Sequence, residues 1–264
     1  MTTIAMHPFF ASEALQFAFQ KATTEGKITV GALFILSFFS WSIIITKYRQ
    51  LWIARRAARK FFAAYGATRD PLDIKRKGEV FRGAPAYQLY IRGAEELDYH
   101  LQHNPVTVKG RARVSTASFE AVKVTLEEAA AAQAMALEKG MIILSTAVAG
   151  GPFIGLLGTV WGVMDTFSGI ARANSATLTA MAPGVAGALI ATVVGLMVAI
   201  PAMFAYNFMV TSIRGITQEL DGFATRYATQ IEHSYVDNRD LEDKIAGALR
   251  RAGQLTEQAI SEDS

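Results

Sequence analysis

The sequence predicts an all-α membrane protein with three transmembrane helices. Three observations support this fold class. The apolar residues are gathered into three long runs without charge, Lys and Arg are unevenly divided among the flanking segments, and those segments have helix-forming composition. A hydrophobic content of 51% does not by itself require a membrane, because a soluble chain of 264 residues can reach it. The distribution of the apolar residues is what indicates the bilayer.

The first run covers residues 28–46 and holds 19 residues without a charge. A helix needs about 20 apolar residues to cross a hydrocarbon core of ~30 Å, so the run is long enough to span it. A cleaved signal peptide is disfavoured, because the run starts late and ends in the basic segment 47–60 instead of a small-residue cleavage site. We interpret it as a stop-transfer helix or an uncleaved anchor.

Two further runs predict a helical hairpin. Residues 141–164 and residues 184–210 contain no charged side chain, and the link 165–183 between them is too short for a domain. The alternative, three buried helices of a large soluble fold, is disfavoured because uncharged runs of this length are rare outside bilayers. The second and third spans are therefore expected to be antiparallel.

The positions of Lys and Arg predict the orientation, because short cytoplasmic segments are enriched in both. Residues 1–27 hold two cations and the link 165–183 holds one, whereas residues 47–60 alone hold six. We expect residues 1–27 and 165–183 in the periplasm, and residues 47–140 and 211–264 in the cytoplasm. The chain is thus predicted to be a multi-pass protein of the bacterial inner membrane.

The segments outside the spans have helical patterns. Residues 9–25 are expected to form an amphipathic helix in the outer interface or, alternatively, a surface-packed leader. Residues 112–139 lack Pro and Gly and are predicted to continue without a break into span two, and residues 213–233 to continue span three. Residues 66–85 are expected to form a turn, and residues 241–255 one more helix.

The sequence offers no enzyme chemistry. It has no cysteine, so disulfides and thiolate metal sites are excluded. Nucleophile–base pairs, metal-ligand clusters and phosphate loops are not apparent, and no cofactor is expected. His100 and His103 have helical spacing and could bind a metal, but a solvated pair is the favoured interpretation.

Small residues form a stripe on each helix of the predicted hairpin, at spacings that let helices approach closely. They are expected either to form a packed oligomer or a sliding surface, or to pack tightly within one protomer, and both alternatives are open. Thr159 and Thr192 lie beside the stripes. Their hydroxyls either line a polar path or bond to their own helices. The stripe residues, to which the family resemblance described below assigns a pore-facing role, are Gly155, Gly158, Gly162, Ala188, Ala191 and Gly195.

The three predicted spans carry no charge at mid-depth. Asp165 falls at the outer edge of span two, where a solvated end residue is the favoured interpretation over a functional one. A protein that moves protons alone needs a titratable group on their path. Any proton carrier is therefore expected to come from a partner.

Two motifs resemble the signatures of the MotA/TolQ/ExbB proton-channel family. They are PFIGLLGTVWGVMDTFSGI at residues 152–170 and APGVAGALIATVVGLMVAIPAMFAYN at residues 182–207. SWSIIITKYRQL, at the end of span one, is similar more weakly. The resemblance is nearest to the ExbB/TolQ branch.

The resemblance implies a homopentameric ring in which spans two and three line a central pore. A dimer of a single-span, ExbD-like or TolR-like partner would sit in the pore, and its membrane Asp would carry the proton. The two pore threonines of the family fall on Thr159 and Thr192. Proton flow would drive an outer-membrane process, such as TonB-dependent transport or Tol-Pal function, through a TonB-like or TolA-like protein.

Gly187 departs from the family pattern, because the ExbB/TolQ motif A-P-G-I-A-E-A-L carries Glu there. Conduction would then depend on the partner's carboxyl, the threonines and water, unless Asp165 compensates or the ion is Na⁺ instead of H⁺. A non-conducting scaffold and a MotA-like stator of a gliding or flagellar system are the alternatives, although flagellar MotA has four spans. The outer process, the partner and the ion are left open by the sequence.

Overall fold

A computed structural model describes residues 24–108, 111–173 and 177–236. Of the predicted helices, the one over residues 9–25 lies mostly outside these ranges, and the one over residues 241–255 lies wholly outside them. The described chain is almost wholly helical, with one short β-hairpin. Its elements are α1 (Thr24–Gly66), α2 (Asp73–Lys77), α3 (Pro85–His103), β1 (Val106–Val108), β2 (Arg111–Arg113), α4 (Thr116–Glu138), α5 (Met141–Ala173) and α6 (Leu178–Tyr235).

Three of these helices, α1, α5 and α6, are long and apolar enough to cross a membrane. This agrees with the predicted helical fold containing three helices that could span a membrane. The helices extend beyond the apolar runs, because α1 has 43 residues and α6 has 58. α5 and α6 also reach into the predicted link, so that helix covers residues 165–173 and 178–183. The expectation that span three continues as a single helix is confirmed.

The prediction of an unbroken helix into span two is wrong. α4 ends at Glu138, and α5 begins at Met141. Gly140 lies between them with φ of 88°, a left-handed conformation that glycine adopts without steric cost. The start of α4 is also later than expected, because residues 111–113 form a strand.

The β-hairpin was not predicted. β1 pairs antiparallel with β2, with Val106 opposite Arg113 and Thr107 opposite Ala112. The β-branched residues of VTV at 106–108, followed in the sequence by Lys and Gly, are the signal that could have revealed it. The chain after β2 is tied to the end of α6, because the Val114 N–H donates to the Tyr235 carbonyl at 2.9 Å.

The chain divides into two compact units. The span unit consists of the described residues within Met1–Gln50 and Glu138–Ser212, and it contains the three apolar runs. The aromatic unit consists of the described residues within Leu51–Leu137 and Ile213–Ser264. The large apolar side chains of the first run are mostly exposed, as expected for a helix surface that faces lipid.

The aromatic unit has a core of rings. Phe223 packs edge-on against Phe61 with centroids 5.4 Å apart and stacks on Tyr227 at 5.7 Å. Tyr90 lies 5.1 Å from Tyr227, and all four side chains are almost fully buried. The rings therefore join α1, α3 and α6 through contacts that each bury a large apolar area.

A polar cluster ties the turn after α1 to the end of α6. The Tyr235 hydroxyl donates to Asp70 at 2.8 Å, and Arg76 donates to Asp70 at 2.6 Å and to the Tyr235 oxygen at 3.2 Å. Burial alone would raise the pKa of Asp70, but hydrogen bonds from Leu72 N–H and Tyr235 and the nearby Arg76 guanidinium lower it overall. Burial raises the pKa of Tyr235 to about 12.

Candidate functional site: a threonine pair between two glycine-striped helices

Helices α5 and α6 contact each other through small residues. Moving along α5, Gly151 approaches Gly195 and Ala199, whereas Gly162 approaches Ala188. Because the contact numbers rise on one helix and fall on the other, the two helices are antiparallel, as predicted. All five residues are buried.

At several points the backbones of α5 and α6 are so close that no side chain larger than that of glycine fits between them. A Cβ atom built on Gly155 would lie 2.8 Å from the Ala191 carbonyl oxygen and 3.0 Å from the Cα atom of Thr192. A Cβ atom on Gly195 would lie 2.6 Å from the Gly151 carbonyl oxygen. Because lipid supplies no hydrophobic force between helices, such close approach is what holds them together.

Thr159 of α5 and Thr192 of α6 face each other across this contact. Their hydroxyls are hydrogen-bonded to one another. The Gly155 carbonyl lies 3.2 Å from the Thr159 oxygen and 3.3 Å from the Thr192 oxygen, and the Ala188 carbonyl lies 3.2 Å from Thr159. Both side chains are half-buried. The close backbone approach at Gly155 therefore places the two hydroxyls together.

The chemistry of this pair follows from its donors and acceptors. Whichever hydroxyl donates to the other, the second can donate to a backbone carbonyl, so both protons have acceptors within the hairpin. Each oxygen keeps acceptor capacity, and a rotated hydroxyl can donate outward. The pair can thus bond either a protonated carboxylic acid or a carboxylate. It does not ionise near neutral pH, so it can guide a proton but not store one.

Comparison with known proteins identifies the family. The model of the MotA/TolQ/ExbB proton channel family matches residues 95–222. The chain is 33% identical over 221 residues to the Tol-Pal system protein TolQ of Haemophilus influenzae, a match covering 80% of this chain and 90% of that protein. The chain belongs to the MotA/TolQ/ExbB proton channel family.

Two biopolymer transport proteins ExbB place the chain in the ExbB/TolQ branch. That of Xanthomonas campestris pv. campestris is 32% identical over 227 residues, which cover 79% of this chain and 86% of the relative. That of Pseudomonas putida is 34% identical over 199 residues, covering 75% of this chain but 57% of the relative. The resemblance to the family and to its ExbB/TolQ branch is thus confirmed.

The small residues with an expected pore-facing role are buried inside this family member's own hairpin. The distances at Gly155 and Gly195 belong to contacts between α5 and α6 of one chain, and Gly158 lies against Thr29 of α1 and Ala191. Of the two alternatives left open by the sequence, packing within one protomer is the one these contacts favour. The six residues are Gly155, Gly158, Gly162, Ala188, Ala191 and Gly195.

Gly187 and Asp165 occupy different surroundings. Gly187, at which the resemblance predicted the Glu of the family motif, is buried in α6 immediately before Ala188. Asp165 is half-exposed on α5, and its carboxylate lies 3.9 Å from the Arg172 guanidinium one to two turns further along. Asp165 is thus exposed beside a cation, about two turns before α5 ends at Ala173. The structure does not bring Asp165 to the threonine pair.

The histidines of α3 lie far along the chain from this site. His100 Nε2 is 3.2 Å from a Glu96 carboxylate oxygen, and His103 stacks on Tyr99 with ring centroids 4.3 Å apart. The residues that the structure describes contain no cluster of three or more His, Cys, Asp and Glu side chains suited to a metal ion.

Thr29 makes a contact that was not predicted from the sequence. Its side chain is almost fully buried and donates to the Gly26 carbonyl at 2.9 Å, and it packs beside Gly158. It thereby joins α1 to the hairpin. A hydroxyl at the start of an apolar run was the available signal.

Proposed function

We propose that the chain is the channel-forming subunit of an inner-membrane motor of the ExbB/TolQ type, driven by the proton-motive force. One observation carries the proposal: the hydrogen-bonded pair Thr159–Thr192, formed between the charge-free segments of two helices of a proton-channel family member. Such a pair provides a polar hydrogen-bonding site in the middle of the span, where the surrounding surface is apolar.

The pair requires an external proton carrier in this proposal. Residues 141–164 and 184–210 contain no titratable carboxylate, and Gly187 stands where the motif of the branch carries Glu. We propose that a dimer of a single-span, ExbD-like or TolR-like protein supplies a membrane Asp, which the threonines bond in both protonation states. Each transferred proton would release about 2.3 kcal/mol per 100 mV of membrane potential. H⁺ is the proposed ion, with Na⁺ as the alternative.

The assembly would be a homopentameric ring around that partner. The large apolar residues of α5 and α6 are exposed on the single chain, among them Phe153, Trp161 and Met197. Exposed apolar surfaces on a span must contact lipid or other spans, and a ring uses both kinds of contact. The distribution of Lys and Arg supports an N-terminus in the periplasm and a C-terminus in the cytoplasm.

The driven process would be TonB-dependent transport or Tol-Pal function at the outer membrane. Relatives of both names are similar to this chain, one as a Tol-Pal system protein and others as biopolymer transport proteins. A TonB-like or TolA-like protein would transmit the motion. The identity of the co-purifying single-span partner decides between the two systems.

The test is proton uptake by vesicles that contain the full chain together with its single-span partner. Under an imposed potential we expect wild-type flux, and a loss of roughly tenfold or more in Thr192→Val, since one charge-assisted hydrogen bond contributes about 1.5–3 kcal/mol. Thr146→Val is the control, because the exposed Thr146 on α5 donates to its own helix at Ile142. If the wild-type complex passed no ions, the chain would be a non-conducting scaffold.

A further inference from the structure

The aromatic unit contains an open cavity of 270 Å³ with a basic lining, separate from the threonine pair. One wall is a face of α1 and the other is the segment that precedes α3. Three cations, one tryptophan and several apolar residues meet there. The lining residues are Trp52, Ile53, Arg56, Ala57, Lys60, Val80, Phe81 and Arg82.

The second wall is fixed in place by packing. The Phe81 ring lies 5.7 Å from the Phe61 ring, which anchors the segment in the aromatic core. Gly83 has φ of 83°, and a Cβ atom there would lie 2.9 Å from the Ile53 side chain. The chain thus bends tightly against α1, and Arg82 is held beside Arg56 and Lys60 by the fold.

Among the described residues, no carboxylate neutralises the cations of this cavity. Within the described ranges 24–108, 111–173 and 177–236, Arg56, Lys60 and Arg82 form no ion pair with a carboxylate. The Arg56 guanidinium instead lies over the Trp52 ring, 5.3 Å from its centroid. Three cations that line one cavity, with no counter-ion among the residues the structure describes, provide a site for an anion.

The depth of the cavity indicates the kind of anion. Trp52 and Ile53 are exposed apolar side chains that follow the first span on the same helix, as residues of a membrane interface do. Arg56 and Lys60 follow Ile53 by three and seven residues, roughly 5 and 11 Å along a helix axis. Long cationic side chains at that depth can reach back toward lipid headgroups. The exposed Val80 adds an apolar surface on the opposite wall.

We propose that this cavity binds the phosphodiester headgroup of an anionic phospholipid. Arg56, Lys60 and Arg82 bond the phosphate oxygens, and Trp52, Ile53 and Val80 contact the glycerol and the first carbons of the acyl chains. Basic pockets next to membrane spans are suited to such headgroups, and the cation set is complementary in charge. The bound lipid joins α1 to the segment before α3.

The experiment measures phospholipid retained by the full chain in a neutral detergent, by native mass spectrometry. The probes are phosphatidylglycerol, phosphatidylcholine and inorganic phosphate. We expect the wild type to prefer phosphatidylglycerol, and Arg56→Gln/Lys60→Gln to lose that preference by roughly tenfold, since hydrogen bonds to a charged group are lost. Arg82→Gln should reduce it in the same direction.

The matched control is Arg55→Gln/Arg59→Gln. It removes the same charge from adjacent, exposed positions of α1 that do not line the cavity. We expect it to retain the wild-type preference. Equal losses in both double variants, or a loss in neither, would overturn the proposal, as would displacement of the lipid by equimolar inorganic phosphate. Melting temperatures of all variants verify that each is folded.

Discussion

The helices within the span unit and the helices within the aromatic unit are packed by opposite means. In the span unit, α5 and α6 meet where side chains are absent, and a single added carbon at Gly155 would lie 2.8 Å from the Ala191 carbonyl oxygen. In the aromatic unit, the helices meet through large rings such as Phe61, Phe223 and Tyr227. In water, burial of rings drives association, whereas in lipid close backbone approach must do so.

The hydroxyl groups of the two units also differ, in whether their hydrogen-bond partners are fixed. Tyr227 and Tyr235 of the aromatic unit donate to fixed partners, the Pro71 carbonyl at 3.3 Å and Asp70 at 2.8 Å. Thr159 and Thr192 share acceptors and are bonded to each other, so their donor and acceptor roles can exchange. The first arrangement stabilises a fold, whereas the second leaves hydrogen-bonding capacity for a guest group.

The largest expected effect on stability is that of Phe223→Ala. Phe223 is 1% exposed and contacts Phe61, Phe62, Tyr65 and Tyr227. Removing a fully buried ring should lower the free energy of unfolding by about 3–5 kcal/mol. Denaturant unfolding in detergent micelles measures this change. Phe208→Ala on the same helix is the control, because Phe208 is exposed and its loss should change little.

The second prediction concerns the span unit, where adding one carbon atom at Gly155 should disrupt the packing of α5 against α6. Gly155→Ala should force α5 and α6 apart, at a cost of about 1–3 kcal/mol, and should separate the threonine hydroxyls. We expect loss of proton flux in vesicles that hold the complex, although the rings of the aromatic unit are untouched. Gly150→Ala on the same helix adds the same atom where nothing lies within 4 Å. Equal flux in the two variants would show that the close approach is dispensable.

Tyr235→Phe is expected to have the smallest effect, about 1 kcal/mol at neutral pH, through the lost hydrogen bond to Asp70. The lowered pKa of Asp70 means that its ionised form stabilises the fold above the unfolded pKa, and that this contribution falls as pH drops toward the folded pKa. The difference between variant and wild type should therefore shrink below pH ~4. Unfolding curves across pH measure it. A difference that does not change with pH would exclude the Asp70 carboxylate as the cause.

The sequence predicted the span unit better than the aromatic unit. Charge-free runs and glycine spacing are local signals, so the three long apolar helices, the antiparallel hairpin and the position of Thr159 and Thr192 beside the glycine stripes could be predicted before the structure was known. The direct bond between the two hydroxyls could not, since it depends on the register at which α5 and α6 pack. The glycine stripes were correctly located, but their partner surface was left open for the same reason.

The aromatic unit escaped prediction because its contacts are between distant segments. Phe61, Phe81, Tyr90 and Phe223 come from four parts of the chain, and no periodicity within one part indicates that their rings meet. The break at Gly140 was missed because helix-forming composition on both sides outweighed one glycine. The basic cavity likewise required the fold to bring Arg82 beside α1.

The most direct test of the account is a double-mutant comparison of proton flux through the reconstituted complex. Thr159→Val, Thr192→Val and the double variant each keep the β-branched shape and remove hydroxyls from the shared bond. If the two hydroxyls act as a unit, the double variant should lose no more flux than either single variant. Losses that multiply, or single variants with wild-type flux, would contradict the claim that the pair forms one proton-guiding site.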